Sequence, residues 1–272
     1  MQEIDAGLTT LLRRDRLTVA AALIVVTLLA WAYLLWLSAQ MAADGMADMP
    51  GMDMSAMAGA MAPSIRAWAP ADFAFMFAMW AVMMVGMMTP SVAPMLLLYA
   101  GVGRKAAESG TPFASTGWFF AGYLAVWTAF SALATVAQWA LTTLALLTPM
   151  MAASSATLGG IVLIAAGLYQ WTPLKETCLR SCQAPLAFLM AHGGFRDQPL
   201  GALRLGIAHG GYCLGCCFAL MALLFVGGIM NVLWIAGLTI LVLMEKIVPA
   251  GRLIPRISGA LIGAAGIWLL VS

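Results

Sequence analysis

The sequence predicts an all-α membrane protein, a polytopic bundle of about seven transmembrane helices. Three observations predict it. Of the 272 residues, 63% are hydrophobic and 9% charged, against about 25% charged in an ordinary soluble domain. The apolar residues lie in long runs, most near the roughly 20 residues that cross a bilayer as a helix. Those runs are continuous and do not alternate as barrel strands do. A soluble enzyme with this composition could not keep its surface wet. The net charge of +2 is too small to argue for a nucleic-acid partner. Length and apolarity exclude a small disulfide framework.

The seven expected spans are 17–37, 72–100, 116–147, 156–173, 203–227, 230–248 and 257–271. The first follows Arg13, Arg14 and Arg16. Its apolar run is longer than a signal-peptide core and no small-x-small cleavage site follows, so it reads as an uncleaved anchor. The second and third are long enough to tilt. The last is short and Gly-rich. Arg13, Arg14, Arg16, Arg104, Lys105, Lys175, Arg180, Arg196, Arg204, Lys246, Arg252 and Arg256 then fall on one side and only Arg66 on the other. The positive-inside rule makes that side cytoplasmic, with the N-terminus inside and Ser272 outside. The expected location is the bacterial inner membrane.

Three regions follow: 1–37, the cytoplasmic N-terminus and first span; 38–71, an external Met-rich loop; and 72–272, a six-helix membrane domain with a cytoplasmic Cys-containing connection at 174–202. The runs TPSVAPMLLLYAGVG (89–103) and GYCLGCCFALMALLFVGG (211–228) each have a broken, small-residue start and a Leu/Met-rich helix. Each opens a three-span unit, and odd units are inverted in the membrane. A 3+3 inverted repeat is a transporter architecture with its site at the repeat interface.

The strongest chemical feature is HGGYCLGCC at 209–217. On a helix His209, Cys213 and Cys216 share one stripe, with Cys217 beside it. At about 1.5 Å per residue from the cytoplasmic end, Cys213 lies about 15 Å deep, mid-way through a roughly 30 Å core. Thiolates with one imidazole make a soft-metal site. A single buried Cys is ordinary packing, but three in five residues aligned with one of two histidines favour function. Cys178 and Cys182, four apart, share a helix face at the cytoplasmic mouth. Lys175 and Arg180 nearby favour the metal-binding thiolate. His192 reads as a solvated loop imidazole.

Met76, Met79, Met83, Met84, Met87 and Met88 recur at threes and fours in span two. Such a stripe is good interface filler. Met83, Met84 and Met87 match the depth of Cys213, and thioethers suit Cu(I). The external loop carries Met41, Met46, Met49, Met52, Met54, Met57 and Met61 between Asp44, Asp48 and Asp53. Exposed methionines on a flexible chain can wrap one soft ion; the alternative is a low-complexity linker. Glu245 and Lys246 read either as an interfacial anchor or, for Glu245, as an ion-exchanging group facing the bundle. Asp72 and Asn231 read as helix caps. No G-x-S-x-G, phosphate loop or H-E-x-x-H occurs, which favours a binding protein and leaves the enzyme class open. The last span has no Lys for a retinal Schiff base.

Three runs carry a resemblance: MWAVMMVGMMTPSVAPMLLLY (79–99), GLYQWTPLKETCLRSCQAPLAFL (167–189) and GIAHGGYCLGCCFALMALLFVGGIMNVLWIAGLTILVLMEKIVPAG (206–251). Over about 72–252 the chain resembles an uncharacterised bacterial family of predicted metal-binding integral membrane proteins, a domain of unknown function. The resemblance implies a metal-related role for Cys178, Cys182, His209, Cys213, Cys216 and Cys217. Family members often have Trp after the paired Cys, where this chain has Phe218. A fainter similarity is to the membrane thiol-conducting proteins of cytochrome c maturation. Those open each half with a Pro/Cys-containing broken helix, and here Ser91 stands in place of the first-half Cys.

The residues thus predict Cu(I) capture and transport or delivery, with Zn(II) or Ag(I) as alternative ions. The partners expected are membrane lipid, a soft metal ion and a periplasmic or cytoplasmic metallochaperone or membrane oxidase. Two alternatives stay open. One is a thiol-disulfide oxidoreductase passing electrons through Cys213, Cys216 or Cys217 to Cys178 and Cys182. The other is a copper-insertion assembly factor for a membrane oxidase.

Overall fold

The structure, a computed structural model, describes residues 2–47, 68–110, 115–148, 151–248 and 251–272. The fold is all-α among these residues. Its helices are α1 (Gln2–Ala47), α2 (Pro70–Glu108), α3 (Thr116–Thr143), α4 (Ala156–Tyr169), α5 (Pro173–Gln183), α6 (Pro185–Ala191), α7 (Pro199–Ala222), α8 (Leu224–Gly227), α9 (Val232–Ile247) and α10 (Leu253–Val271). Among the described residues, five helical stretches are long and apolar enough to cross a membrane: Leu17–Met41, Pro70–Ala106, Thr116–Thr143, Pro199–Gly227 and Leu253–Val271. The bent pair Ala156–Tyr169 and Pro173–Gln183 makes a sixth if taken as one span.

Expectation and structure part first at two of the expected spans. The stretch 156–173 is not one straight span. Its helix ends at Tyr169 and turns by 65° into α5. The turn is built locally: the Thr172 side chain caps α5 by accepting from the Lys175 N–H, and Pro173 supplies the first helical residue, a position where its missing N–H costs nothing. The stretch 230–248 shortens to α9 with 16 residues, about 24 Å long, less than a roughly 30 Å hydrocarbon core. The Asn231 side chain caps it, accepting from the Trp234 N–H at 3.2 Å. Asp72 accepts from the Ala69 N–H at 2.8 Å, tying down the start of α2.

The broken helix starts expected in 89–103 and 211–228 are unbroken. Helix α2 runs through Pro90 and Pro94, and HGGYCLGCC lies wholly within α7. Proline removes a backbone donor, and in apolar surroundings neighbouring side chains make good the altered bonding. The Met88 carbonyl on that stretch accepts from the Ser91 hydroxyl at 2.9 Å and from the Tyr123 hydroxyl of α3 at 3.2 Å. At the other end of the chain, α1 continues helically to Ala47, through 38–47 of the expected loop.

Helix α7 packs on α3, α10 on α4, and α1 on α2. The α3–α7 contact is backbone against backbone. A Cβ on Gly206 would lie 2.0 Å from the Phe119 carbonyl oxygen, and one on Gly122 2.1 Å from that of Leu203. Only glycine permits this approach. It sets the Tyr123 side chain against the cysteines of α7. The core holds Met79, Met83, Met84, Met87 and Met88 together with Cys213, Cys216 and Cys217 in one cluster.

Candidate metal centre

Cys178 and Cys182 belong to α5, and α5 packs on α7 rather than forming an open cytoplasmic connection. The Cys178 sulfur sits over Gly215, where a Cβ would be only 2.6 Å from it. Tyr169, at the bend, donates from its hydroxyl to the Gly215 carbonyl at 2.5 Å. The bend therefore folds the second cysteine run onto the first. The Cys182 sulfur lies 3.9 Å from that of Cys216, and the Cys216 and Cys217 sulfurs are 3.3 Å apart. The Cys216 thiol donates to the Cys213 carbonyl at 3.1 Å. All five cysteines are free thiols; Cys178, Cys213, Cys216 and Cys217 are buried and Cys182 partly so. Sulfurs expected at two depths form one group.

The Cys213 sulfur has two other neighbours. The Lys246 ammonium donates to it at 2.8 Å and to the Ser91 hydroxyl at 3.0 Å. The Tyr123 hydroxyl lies 3.1 Å away. Lys246 is thus no interfacial anchor: it is 7% exposed and points into the core. Positive charge beside a thiol is the setting that makes a cysteine a ligand or nucleophile. A second polar group lies below. Lys175 and Glu245, both 1% exposed, pair at 2.6 Å. The Lys175 ammonium also donates to the Cys216 carbonyl at 2.6 Å. Gln170 donates to Glu245 at 2.6 Å, and Ser258 donates to it at 3.2 Å. Gln183 donates to the Glu245 backbone carbonyl at 2.7 Å. Of the two readings open for Glu245, the bundle-facing one matches its position. Lys175 and Lys246 are consequently not flanking charges in the topology count.

The structure treats the other expected ligands differently. His209 is buried, its ring held by Phe188, Phe119 and Tyr123 at centroid distances of 4.9, 5.8 and 6.0 Å. Its Nδ1 has no hydrogen-bond partner among the described residues. Its stripe-mate Cys213 instead faces Lys246 and Tyr123. His192 is partly buried rather than solvated, with Nδ1 2.9 Å from the Phe188 carbonyl. Met83, Met84 and Met87 are fully buried. Met76 and Met151 accept from the Gln138 amide at 3.5 and 3.2 Å, while Gln138 accepts from the Trp80 indole at 2.7 Å. Met41 lies on α1 against the core. Met46 lies in the same helix, its side chain outside the described part, and Met49, Met52, Met54, Met57 and Met61 lie outside the described residues.

Sequence reasoning missed Tyr123 and misassigned Lys175 and Lys246. The signal available for both lysines was an ionisable side chain inside or beside an apolar run, which in lipid marks function. Nothing in the sequence near Tyr123 sets it apart from other aromatic residues of α3.

Among the described residues, no three His, Cys, Asp or Glu side chains stand as a ready-made metal site. The thiols are engaged with Lys246, Tyr123, backbone carbonyls and one another. What the arrangement offers is paired sulfur, chemistry that selects soft ions and Cu(I) above all.

The family model described as copper chaperone (PpoB2) matches residues 77–269. The chain belongs to that family, and its function is copper-related. Comparison with curated proteins and with solved structures finds no match.

Proposed function

We propose that this copper chaperone family member is an integral membrane protein that takes up Cu(I) as cargo and transports or delivers it. The single observation that carries the reading is the convergence of the partly buried Cys182 on the buried Cys213, Cys216 and Cys217, with sulfur separations of 3.3 and 3.9 Å along the group. Cu(I) is held by small sets of thiolate and thioether sulfurs, so paired cysteines beside methionines suffice. Met83, Met84 and Met87 on α2 belong to the same hydrophobic core and are the proposed thioether donors. His209, caged by aromatic rings, lies outside the proposed ligand set. The Met-rich segment 38–71 is the proposed point of capture, through Met46, Met49, Met52, Met54 and Met57.

Arg13, Arg14 and Arg16, in α1 just before its apolar stretch from Leu17, support a cytoplasmic N-terminus in a bacterial cell. On this reading the bent α4–α5 pair crosses once and the short α9 crosses where the bilayer thins to match it, so that the chain spans seven times and ends outside. The cysteine group then receives Cu(I) from the external methionines and presents it at α5 to a cytoplasmic carrier or an oxidase.

Metal content tests the reading. Detergent-purified protein is loaded anaerobically with equal Cu(I) and Zn(II), and bound metal is counted by mass spectrometry. Copper retained by the wild type and lost from Cys213→Ser/Cys216→Ser supports it. Copper equally retained by the double variant contradicts it.

One observation favours a second reading. The Cys182 and Cys216 sulfurs, 3.9 Å apart, need only a small shift to reach disulfide bonding distance, roughly 2.05 Å. In that reading a partner disulfide accepts two electrons as the pair oxidises. A trapped mixed disulfide between Cys182 or Cys216 and a partner would favour it.

A further inference from the structure

A cavity of about 340 Å³ lies at the α4–α5 bend, between it and the start of α10. It contains no cysteine and is separate from the sulfur group. Its wall carries Arg180, Arg252 and Arg256. The acidic side chain on that wall is Glu176, already ion-paired with both Arg180 and Arg252. The Lys175 ammonium, also on the wall, is spent on Glu245. Arg256 has no ion pair among the described residues. The wall therefore keeps a surplus of two guanidinium charges.

Three further features shape the cavity. Gln170 is 4% exposed, and its amide nitrogen is used by Glu245 and Ser258. Its Oε1 is buried and without a hydrogen-bond partner among the described residues, and Gln170 is one of the residues that line the cavity. A buried carbonyl oxygen without a donor is costly, so an occupant that supplies one is favoured. The N-cap of α10 is Arg252, whose side chain has no acceptor to offer the first N–H groups, and negative charge there is stabilised by the helix dipole. The outer rim is open: Trp171 is 58% exposed and Arg180 69%. The Trp171 indole N–H donates to the Arg256 carbonyl at 3.1 Å, fixing the rim.

We infer that this cavity binds a phosphate ester carrying a neighbouring hydroxyl or ammonium donor. The guanidinium forks take the phosphate oxygens, their preferred geometry, and the donor satisfies Gln170 Oε1. The volume is at the small end of the range for small-molecule sites, and a single headgroup fits better than a protein strand. Basic pockets between membrane helices take anionic lipid headgroups in this way. A lipid headgroup and a free phosphate compound share this chemistry, and the choice between them is experimental.

The test uses full-length detergent-purified protein and three probes: short-chain phosphatidylglycerol, inorganic phosphate and an oligo-glutamate peptide. Binding is followed by native mass spectrometry and by thermophoresis for wild type, Arg256→Ala and Arg256→Lys. Wild type is expected to bind a phosphate probe about tenfold more tightly than Arg256→Ala, the loss of one charge-assisted contact, with Arg256→Lys between them. Phosphatidylglycerol alone binding identifies a lipid headgroup; inorganic phosphate binding or competing identifies a free phosphate compound. Binding of the acidic peptide alone overturns the inference, as does equal affinity in all three proteins or no binding of any probe. Unchanged copper retention in Arg256→Ala shows that the variant is folded, and copper loss from the cysteine variants is read separately.

Discussion

Two lysines lie inside the protein and face different chemistry. Lys175, at the α4–α5 bend, meets a carboxylate, Glu245, at 2.6 Å. Lys246, one residue after that carboxylate, meets a sulfur, Cys213, at 2.8 Å. The first pair is closed: Glu245 also accepts from Gln170 and Ser258, and Lys175 also holds the Cys216 carbonyl. It is a brace, locking the bent arm, α7 and α9 to one another. On the proposed function the second pair is exchangeable, with an incoming soft cation taking the place of the ammonium on the sulfur. Adjacent residues of α9 thus face the framework and the proposed site. The difference teaches that buried charge in this protein is not of one kind, and that loss of each lysine should be read with a different assay.

Breaking the brace should have the largest effect. Glu245→Ala leaves the Lys175 ammonium buried without its carboxylate, a loss of about 3–5 kcal/mol for a buried pair. The variant should unfold far earlier than wild type when titrated with SDS in mixed micelles; wild-type stability would mean that the two groups are not paired. Next comes the helix contact that sets Tyr123 against Cys213. Gly206→Ala drives a Cβ toward the Phe119 carbonyl, 2.0 Å away, and overpacking of this kind costs about 1–3 kcal/mol. The same titration should register it, together with reduced copper retention as the sulfur group is displaced.

Lys246→Met sharpens the comparison directly. The Cys213 thiol left behind can stay neutral, so the loss should be about 1–2 kcal/mol, clearly smaller than for Lys175→Met, which strands a carboxylate. Equal losses would show that Lys246 is a second brace. The smallest structural effect is expected for Met87→Leu. The swap conserves volume and should cost under about 1.5 kcal/mol while removing a thioether. Copper affinity should then fall with stability nearly unchanged; unchanged affinity would assign Met87 to packing alone.

Helical class and most element boundaries were legible in the sequence because apolar runs and their caps are local signals. Asn231 at the start of α9 and Asp72 at the start of α2 are such cases. The bend after Tyr169 was not legible, although Thr172 and Pro173 are ordinary helix-start residues. They lie within an apolar run long enough to cross unaided, so length outweighed the cap. The prolines at 90 and 94 suggested a break, yet the chain packed around them keeps α2 helical. For the site, spacing alone grouped Cys213 with Cys216 and Cys217. Their meeting with Cys182 depends on the 65° bend, a tertiary feature that no spacing encodes. Lys246 was placed at an interface because it ends an apolar run beside Glu245; its direction into the core is decided by Ser91 on α2 and Cys213 on α7.

The central claim is that buried sulfur holds copper. X-ray absorption at the copper edge of anaerobically loaded, full-length protein tests it most directly. The account predicts Cu(I) with a first shell of sulfur alone, a shell that is lost in Cys213→Ser/Cys216→Ser. A first shell of nitrogen or oxygen in the wild type, or a sulfur shell unchanged in the double variant, would contradict it.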